Sequence, residues 1–271
     1  MEFTWREEAP EAKNFQEGSV VVSAFPSAGL ATTVAGHYMV RALNLPRIGR
    51  FESPDLSPIA VVQGGVVNPT IRVYGRPDLG LVLSEFPPSP TQANAIARTI
   101  LEAAERHKVR MIVGLEGVVP HPEGDEEGDA QDEQSAVAEA QPPEQVWVAY
   151  SRKEASVTKS FDAAKARPLE DGVIGGVSGA LLVQGIGRSI PVTVLLVSAR
   201  VAEGLPDHRA GAALIETLDR LLPEVKIDTG PLRAQAEQIE KALRAVMKSH
   251  QPAPPPPAEG PPTEPTPGMY G

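Results

Sequence analysis

Four short apolar segments place the tightest limit on how this chain can fold. They read SVVVSAF from residue 19, LGLVLSEF from residue 79, VRMIVGLEG from residue 109 and PVTVLLVSA from residue 191. Short, nearly continuous runs of Val, Leu and Ile are typical of strands that are buried on both faces of a parallel or mixed sheet. Because both faces are apolar, helices must cover the sheet on each side.

Helical patterns lie between and after these segments. The segment TQANAIARTILEAAERHK repeats apolar residues at helical spacing, and Thr91 is its expected N-cap. We predict further helices over about 31–43 and 208–222, and a last one from Pro231 to near Ser249. The alternation of strands and helices predicts an α/β fold with a mixed, largely parallel sheet flanked by helices.

Two segments differ in composition from the rest. Residues 120–145 contain nine acidic and no basic side chains, so the chain's net charge of −10 leaves only −1 (−10 minus −9) for everything else. Strand-like sequence (VWVAY) resumes directly afterwards, which predicts a flexible acidic insert within one domain of residues 1–250. Its acids serve either solubility or the docking of a basic partner.

Residues 251–271 contain nine prolines and no basic residue. Such a segment cannot bury enough apolar surface to offset the entropy lost on ordering, so we expect a disordered Pro-rich tail. At about 3.1 Å per residue, an extended tail of this length reaches roughly 60 Å.

Several classes of protein are disfavoured by composition. The chain has no cysteine, which excludes disulfides, thiolate metal sites and cysteine nucleophiles. Its acidic start lacks the features of a secretory signal, and the uncharged segment from Gly172 to Gly187 is shorter than the roughly 18 to 20 residues of a membrane span. Clustered Lys and Arg, which nucleic-acid binding needs, are absent. We expect a cytoplasmic protein that binds neither membrane nor nucleic acid.

Candidate catalytic motifs are incomplete. No Gly-Lys pair exists to form a P-loop, and Gly29, at a predicted strand-to-helix turn, lies outside any Gly-x-Gly-x-x-Gly pattern. We therefore predict a tight, closely packed turn at Gly29. The alternative is an anion-binding site at the start of the following helix. GGVSGA resembles a nucleophile elbow around Ser178, but Ala180 replaces its second glycine and His208 is its main candidate base. We interpret it as a glycine-rich turn entering a buried helix.

The five histidines lack metal-ligand spacing; they are His37, His107, His121, His208 and His250. A metal site assembled in three dimensions stays open on these residues. We expect no catalytic residue, no cofactor and no metal.

The tail nevertheless ends on large apolar side chains. Met269 is a pliable apolar group, Tyr270 has a flat ring with a hydroxyl, and Gly271 supplies a terminal carboxylate. A pocket with a lysine would bind all three, and capture of a C-terminal carboxylate is an established recognition mode. These three residues are the predicted partner-binding site.

Four blocks in order resemble the proteasome assembly chaperone 2 (PAC2) family. They are AFPSAGLATTVAGHYMVRAL, the stretch from RPDLGLVLSEF to MIVGLEGV, DGVIGGVSGALLVQGIGRSIPVTVLLVSA, and the stretch from LPDHRAG to IEKAL. The opening turn reads SAG where the family more usually has Gly-x-Gly.

The resemblance implies a nucleoside-phosphorylase-like α/β fold, a homo-oligomer and a proteasome partner. Proteasome-linked members of the family end in a hydrophobic–Tyr–any motif that inserts between α subunits of the core particle, where the carboxylate pairs with a pocket lysine. Met269, Tyr270 and Gly271 match that motif. The implied function is non-enzymatic, as an assembly chaperone or an ATP-independent activator; a nucleoside phosphorylase or hydrolase-like enzyme and a general binding scaffold are the alternatives.

Overall fold

The four predicted apolar strands lie side by side in the middle of one sheet. The computed structural model describes residues 2–8, 15–119, 144–153, 155–201, 205–222 and 225–250. Within these residues the chain forms eleven strands: β1 (Thr4–Glu7), β2 (Val20–Ala24), β3 (Arg47–Glu52), β4 (Val61–Gln63), β5 (Val66–Asn68), β6 (Ile71–Arg76), β7 (Leu79–Ser84), β8 (Met111–Val118), β9 (Val146–Tyr150), β10 (Arg167–Pro168) and β11 (Val192–Ser198).

The main sheet is mixed, as predicted. Its order is β1-β3-β6-β7-β2-β8-β11-β9-β10, and β4 pairs with β5 in a separate hairpin. The central strands β7, β2, β8 and β11 are parallel, whereas β1, β3 and β6 add antiparallel pairs at one side and β9 is antiparallel to β11. Because the central four run the same way, their carboxyl ends meet at one edge, which we call the carboxyl edge.

Helices cover both faces of the central strands. They are α1 (Ala31–Ala42), α2 (Pro90–Arg106), α3 (Ala155–Ala163), α4 (Gly176–Gly185), α5 (His208–Leu221) and α6 (Gly230–His250). One buried cluster joins α1, α3, α5 and the start of α6 to one face, and a second joins α2 and α4 to the other. The α/β class and the four sequence-predicted helices are confirmed, each helix within a few residues of its expected bounds.

One expected helix cap is wrong. The N-cap of α2 is Ser89 rather than Thr91: the Ser89 hydroxyl accepts a hydrogen bond from the backbone N–H of Gln92, and the Gln92 side chain accepts one from the Ser89 N–H. Pro90 occupies the first helical position, where its missing N–H costs nothing. The reciprocal capping box satisfies two backbone donors and moves the helix start two residues earlier.

One row of paired residues across the sheet shows why strands β1, β3 and β6 were not predicted from the sequence. It runs across the sheet through Arg6, Arg50, Arg72, Leu83, Ala24, Leu115, Leu195 and Val148. The apolar half of this row lies beneath helices, whereas its three arginines pair with Glu52, Glu8 and Glu85. Strands β1, β3 and β6 therefore lack the continuous apolar pattern of buried strands.

The predicted insert and tail fall mostly outside the described residues. Of segment 120–145, the structure describes residues 144 and 145, which lead into β9. Residues 251–271 are not described, so the prediction of a disordered tail, like the division at residue 250, stays a prediction.

The turn from β2 into α1 requires glycine at position 29. Gly29 has φ +62°, and a Cβ at this position would lie 2.5 Å from the carbonyl oxygen of Arg200 and 3.1 Å from Ala199 Cβ. The backbone of this turn therefore packs directly against the segment that follows β11. The prediction of a tight turn with close packing is confirmed.

We predict that Gly29→Ala destabilises the fold far more than Gly64→Ala does. Gly64 also has positive φ, but its Cβ would meet nothing within 4 Å. The control should lose about 1 kcal/mol from backbone strain alone, whereas Gly29→Ala should lose at least about 3 kcal/mol because it also displaces backbone. Urea unfolding of both variants measures the difference, and equal losses would show that the contact with Arg200 is unimportant.

Candidate functional site

The carboxyl edge holds the first candidate site, because open α/β sheets commonly bind ligands there. In this chain the loops at the edge bond to one another. Ser27 Oγ accepts from the backbone N–H of Gly117 at 2.8 Å and lies 3.0 Å from Thr32 Oγ1. Gly117 has no room for a side chain, since a Cβ would clash with the carbonyl of Ala28. The turn after β2 is thus fixed against the end of β8.

Asp207 ties the same turn to the helices of one face. Its backbone N–H donates to the carbonyl of Gly29 at 2.7 Å, and its side chain, 3% exposed, caps α5 by accepting from the N–H of Ala210 at 3.0 Å. The other carboxylate oxygen accepts from the backbone N–H of Arg200 at 2.9 Å. This buried acid therefore joins the turn after β2, the exit of β11 and the start of α5.

Ion pairs extend this junction to α6. Glu240 contacts Arg200 at 2.9 Å and Arg209 at 2.6 Å, whereas Arg233, earlier in α6, contacts Glu216 at 3.0 Å. Helix α6 thus runs antiparallel to α5 and reaches the level of the carboxyl edge at Glu240. Burial raises the pKa of Glu240, but its two arginines outweigh that effect and lower the pKa below its ordinary value.

The predicted binding residues Met269, Tyr270 and Gly271 lie outside the described residues. The structure does show where the described chain ends. Helix α6 continues ten residues beyond Glu240 to His250, about 15 Å at 1.5 Å per residue. His250 therefore lies on the carboxyl-edge side of the domain.

The structure does not bring the candidate hydrolase residues together. Ser178 lies on α4, and its Oγ is 3.3 Å from the carbonyl oxygen of Leu115. His208 begins α5 on the opposite face of the sheet, with Nδ1 2.9 Å from the carbonyl oxygen of Pro206. Asp207, the residue before His208, does not orient the histidine and caps α5. GGVSGA supplies the N-cap, Gly175, and the first turn of α4 rather than a turn before it, and the helix is only partly buried because Val183 is exposed.

Glu116 is a half-buried acid that sequence reasoning missed. It lies near the end of β8, on the face that α4 covers, and the hydroxyl of Ser178 is within hydrogen-bonding reach. Burial raises its pKa from 4.5 to about 7, and the Ser178 hydrogen bond opposes this only in part. The pairing joins residues 62 positions apart, so the sequence contains no local signal for it.

A second missed cluster joins β6, β7 and α1. The side chain of Arg72 is fully buried and pairs with Glu85, whose Oε1 also lies 2.8 Å from His37 Nε2. Burial raises the pKa of Glu85, but the hydrogen bond to His37 and the charge of Arg72 outweigh it and lower the pKa. The cluster fixes α1 against the end of β7.

Neither metal ligands nor a membrane-spanning helix are found in the described ranges. Among those residues, no three His, Asp or Glu side chains are grouped so that they could hold a metal ion. No helix in the same part of the chain is both long and apolar enough to cross a bilayer.

We predict that Glu116→Gln stabilises the protein at pH 8 but not at pH 5. A carboxyl group with a raised pKa favours folding when protonated, so wild-type stability should fall between pH 4.5 and about 7 and stay low above that range. The neutral amide removes this loss, on the order of 1 to 2 kcal/mol after allowance for solvent screening. Urea unfolding at both pH values tests this; Glu102→Gln, on the exposed side of α2, is the control. Equal stability changes at pH 5 and pH 8 would contradict the assignment.

Comparison with known proteins identifies relatives across nearly the whole domain. The chain is 26% identical over 245 residues to an uncharacterised protein of Methanocaldococcus jannaschii, covering 89% of this chain and 90% of the relative. It is similar in structure to Pyrococcus furiosus PbaA, an archaeal homolog of proteasome-assembly chaperone, with a TM-score of 0.73, 22% identity and coverage of 92% of this chain and 93% of PbaA.

A further solved structure shares the fold. Pyrococcus furiosus PbaB, an archaeal proteasome activator, matches with a TM-score of 0.70 and 20% identity over 91% of this chain and 99% of PbaB. The family model of the PAC2 family matches residues 21–247, which cover the four central strands except for the first residue of β2, and most of α6. The chain therefore belongs to the PAC2 family.

Proposed function

We propose that this protein docks on the α-subunit ring of the proteasome core particle through Met269, Tyr270 and Gly271, as an assembly chaperone or an ATP-independent activator. The observation that carries the proposal is the course of α6, which is held to the domain at Glu240 and continues beyond the carboxyl edge. The described chain thus ends on that side of the domain, and we infer that the docking residues act from there.

Two structural relatives are proteasome-related proteins, which supports the proteasome as the partner. They are described as a proteasome-assembly chaperone homolog and a proteasome activator. The bonded loops of the carboxyl edge favour a non-enzymatic role, because Ser27, Gly29 and Asp207 occupy the region in which an open α/β sheet would bind a substrate.

Multivalency makes a short docking motif sufficient. A single three-residue motif binds weakly. When several tails of an oligomer bind neighbouring pockets at once, the overall affinity rises by a factor on the order of 100 or more. A homo-oligomer with arms of roughly 60 Å reach is consistent with this requirement. Cytoplasmic location follows from the proposed partner.

We predict that Tyr270→Ala weakens binding to the cognate α ring at least about 30-fold, because the aromatic side chain and hydroxyl of Tyr270 make the largest contact of the three-residue motif. Thr266→Ala, in the same tail but outside the motif, should leave binding within twofold. Native mass spectrometry of each full-length variant with the ring measures both. Equal binding by wild type and Tyr270→Ala would overturn docking through the tail.

We further predict that deletion of Gly271 weakens binding about as strongly as Tyr270→Ala. The deletion keeps both large side chains but moves the carboxylate onto Tyr270, so a pocket lysine meets it in the wrong position. Replacement of Gly271 by Ala keeps the carboxylate in position and should bind nearly as wild type. Unchanged affinity after the deletion would contradict recognition of the terminal carboxylate, but it would not contradict apolar contacts made by Met269 and Tyr270.

A further inference from the structure

Five large apolar side chains are exposed along the carboxyl edge. They are Leu30, Phe86, Val119, Val173 and Val201, with exposures from 39% for Phe86 to 99% for Val173. We call this set the apolar rim. Exposed apolar residues are ordinary when scattered, but a group of them on one side of a domain indicates an interaction surface.

The strand order explains why the rim lies on one side. Phe86, Val119 and Val201 follow the ends of β7, β8 and β11, and Leu30 ends the turn that follows β2. These four strands are parallel neighbours, so their carboxyl ends share an edge. Val173 precedes α4, whose N-terminal turn packs against β8 through Ser178.

Leu30 is an unexpected residue for its position. Its φ is +51°, in the left-handed region where Asn or Gly is favoured, and its side chain is 42% exposed. Leu30 thus keeps a backbone conformation that is unfavourable for leucine while the domain only partly covers it. Such a departure from local preference points to a role outside the fold.

The rim and the end of helix α6 lie on the same side of the molecule. Helix α6 passes the carboxyl edge at Glu240, and its last residue, His250, lies on that side. Val119 and Glu144, the described residues that flank segment 120–143, lie there too, because β8 ends and β9 begins at this edge. A partner on this side must offer apolar patches to the rim, and the eight acids that the sequence places between Val119 and Glu144 favour basic groups beside those patches.

We propose that the apolar rim is a second contact surface for the ring to which the tail docks, seated on an apolar ring surface bordered by basic side chains. This inference rests on the proposed function. The tails act as flexible tethers, and the rim fixes how the domain sits on the ring. Tail and rim then bind the same partner at once, which makes the second contact effectively intramolecular.

The test compares two matched double variants in the full-length chain. Phe86→Ser with Val201→Ser alters the rim. Val183→Ser with Ile186→Ser alters two equally exposed apolar residues at the far end of α4, away from the carboxyl edge. The single variant Leu30→Asn is a second probe that should fold well, because Asn tolerates the left-handed backbone. Each is also made with Tyr270→Ala, and binding to the cognate α ring is measured by native mass spectrometry.

We expect the rim double variant to bind the ring about tenfold more weakly than wild type, Leu30→Asn a few fold more weakly, and the α4 double variant within twofold. The rim variant should also reduce what binding remains with Tyr270→Ala. Wild-type affinity for both rim variants would overturn the rim while leaving the tail's role intact. Loss with the rim variants but not with Tyr270→Ala would instead overturn tail docking and keep the rim. Equal losses in the rim and α4 double variants would also overturn the assignment, because the effect would not depend on position.

Discussion

The carboxylate of Asp207 is the interaction on which the architecture of the carboxyl edge depends. It caps α5 through Ala210, accepts from the backbone of Arg200, and its own N–H bonds to the carbonyl of Gly29. Buried acids are costly unless they are fully paired, and here backbone donors and an arginine supply the partners. Three segments far apart in sequence are thereby held at fixed positions.

This junction determines where the chain can meet a partner. Because Arg200 also contacts Glu240, the position of α6 depends on the same network that closes the edge of the sheet. The described loops of this edge bond to each other, and α6 continues past them to His250. The same network therefore sets both the shape of the edge and the course of the last helix.

Sequence reasoning succeeded where burial imposes a uniform pattern. Strands β2, β7, β8 and β11 are covered on both faces, so each appears as a continuous apolar run, and the helices between them keep helical spacing. It failed for β3 and β6, whose arginines are neutralised by acids from other segments. The cap of α2 was misassigned because two hydroxyl residues flank Pro90, and the choice depends on the position of the Gln92 side chain.

The same distinction applies to the candidate functional residues: some are visible in the local sequence, and others arise only in the assembled fold. Met269 and Tyr270 stood out because large apolar groups are rare in a proline-rich segment, which is a property of composition. The half-buried Glu116 and the exposed rim could not be predicted, since each arises only when separate strands end at the same edge. Burial of an acid and exposure of Leu30 are both properties of the assembled fold rather than of any local sequence.

The most direct measurement is a cryo-electron microscopy structure of the full-length protein bound to its cognate α ring. We expect the carboxyl edge to face the ring, with density for Met269, Tyr270 and Gly271 between adjacent α subunits and the terminal carboxylate beside a lysine. A complex in which those pockets are empty and the opposite edge of the sheet faces the ring would contradict it.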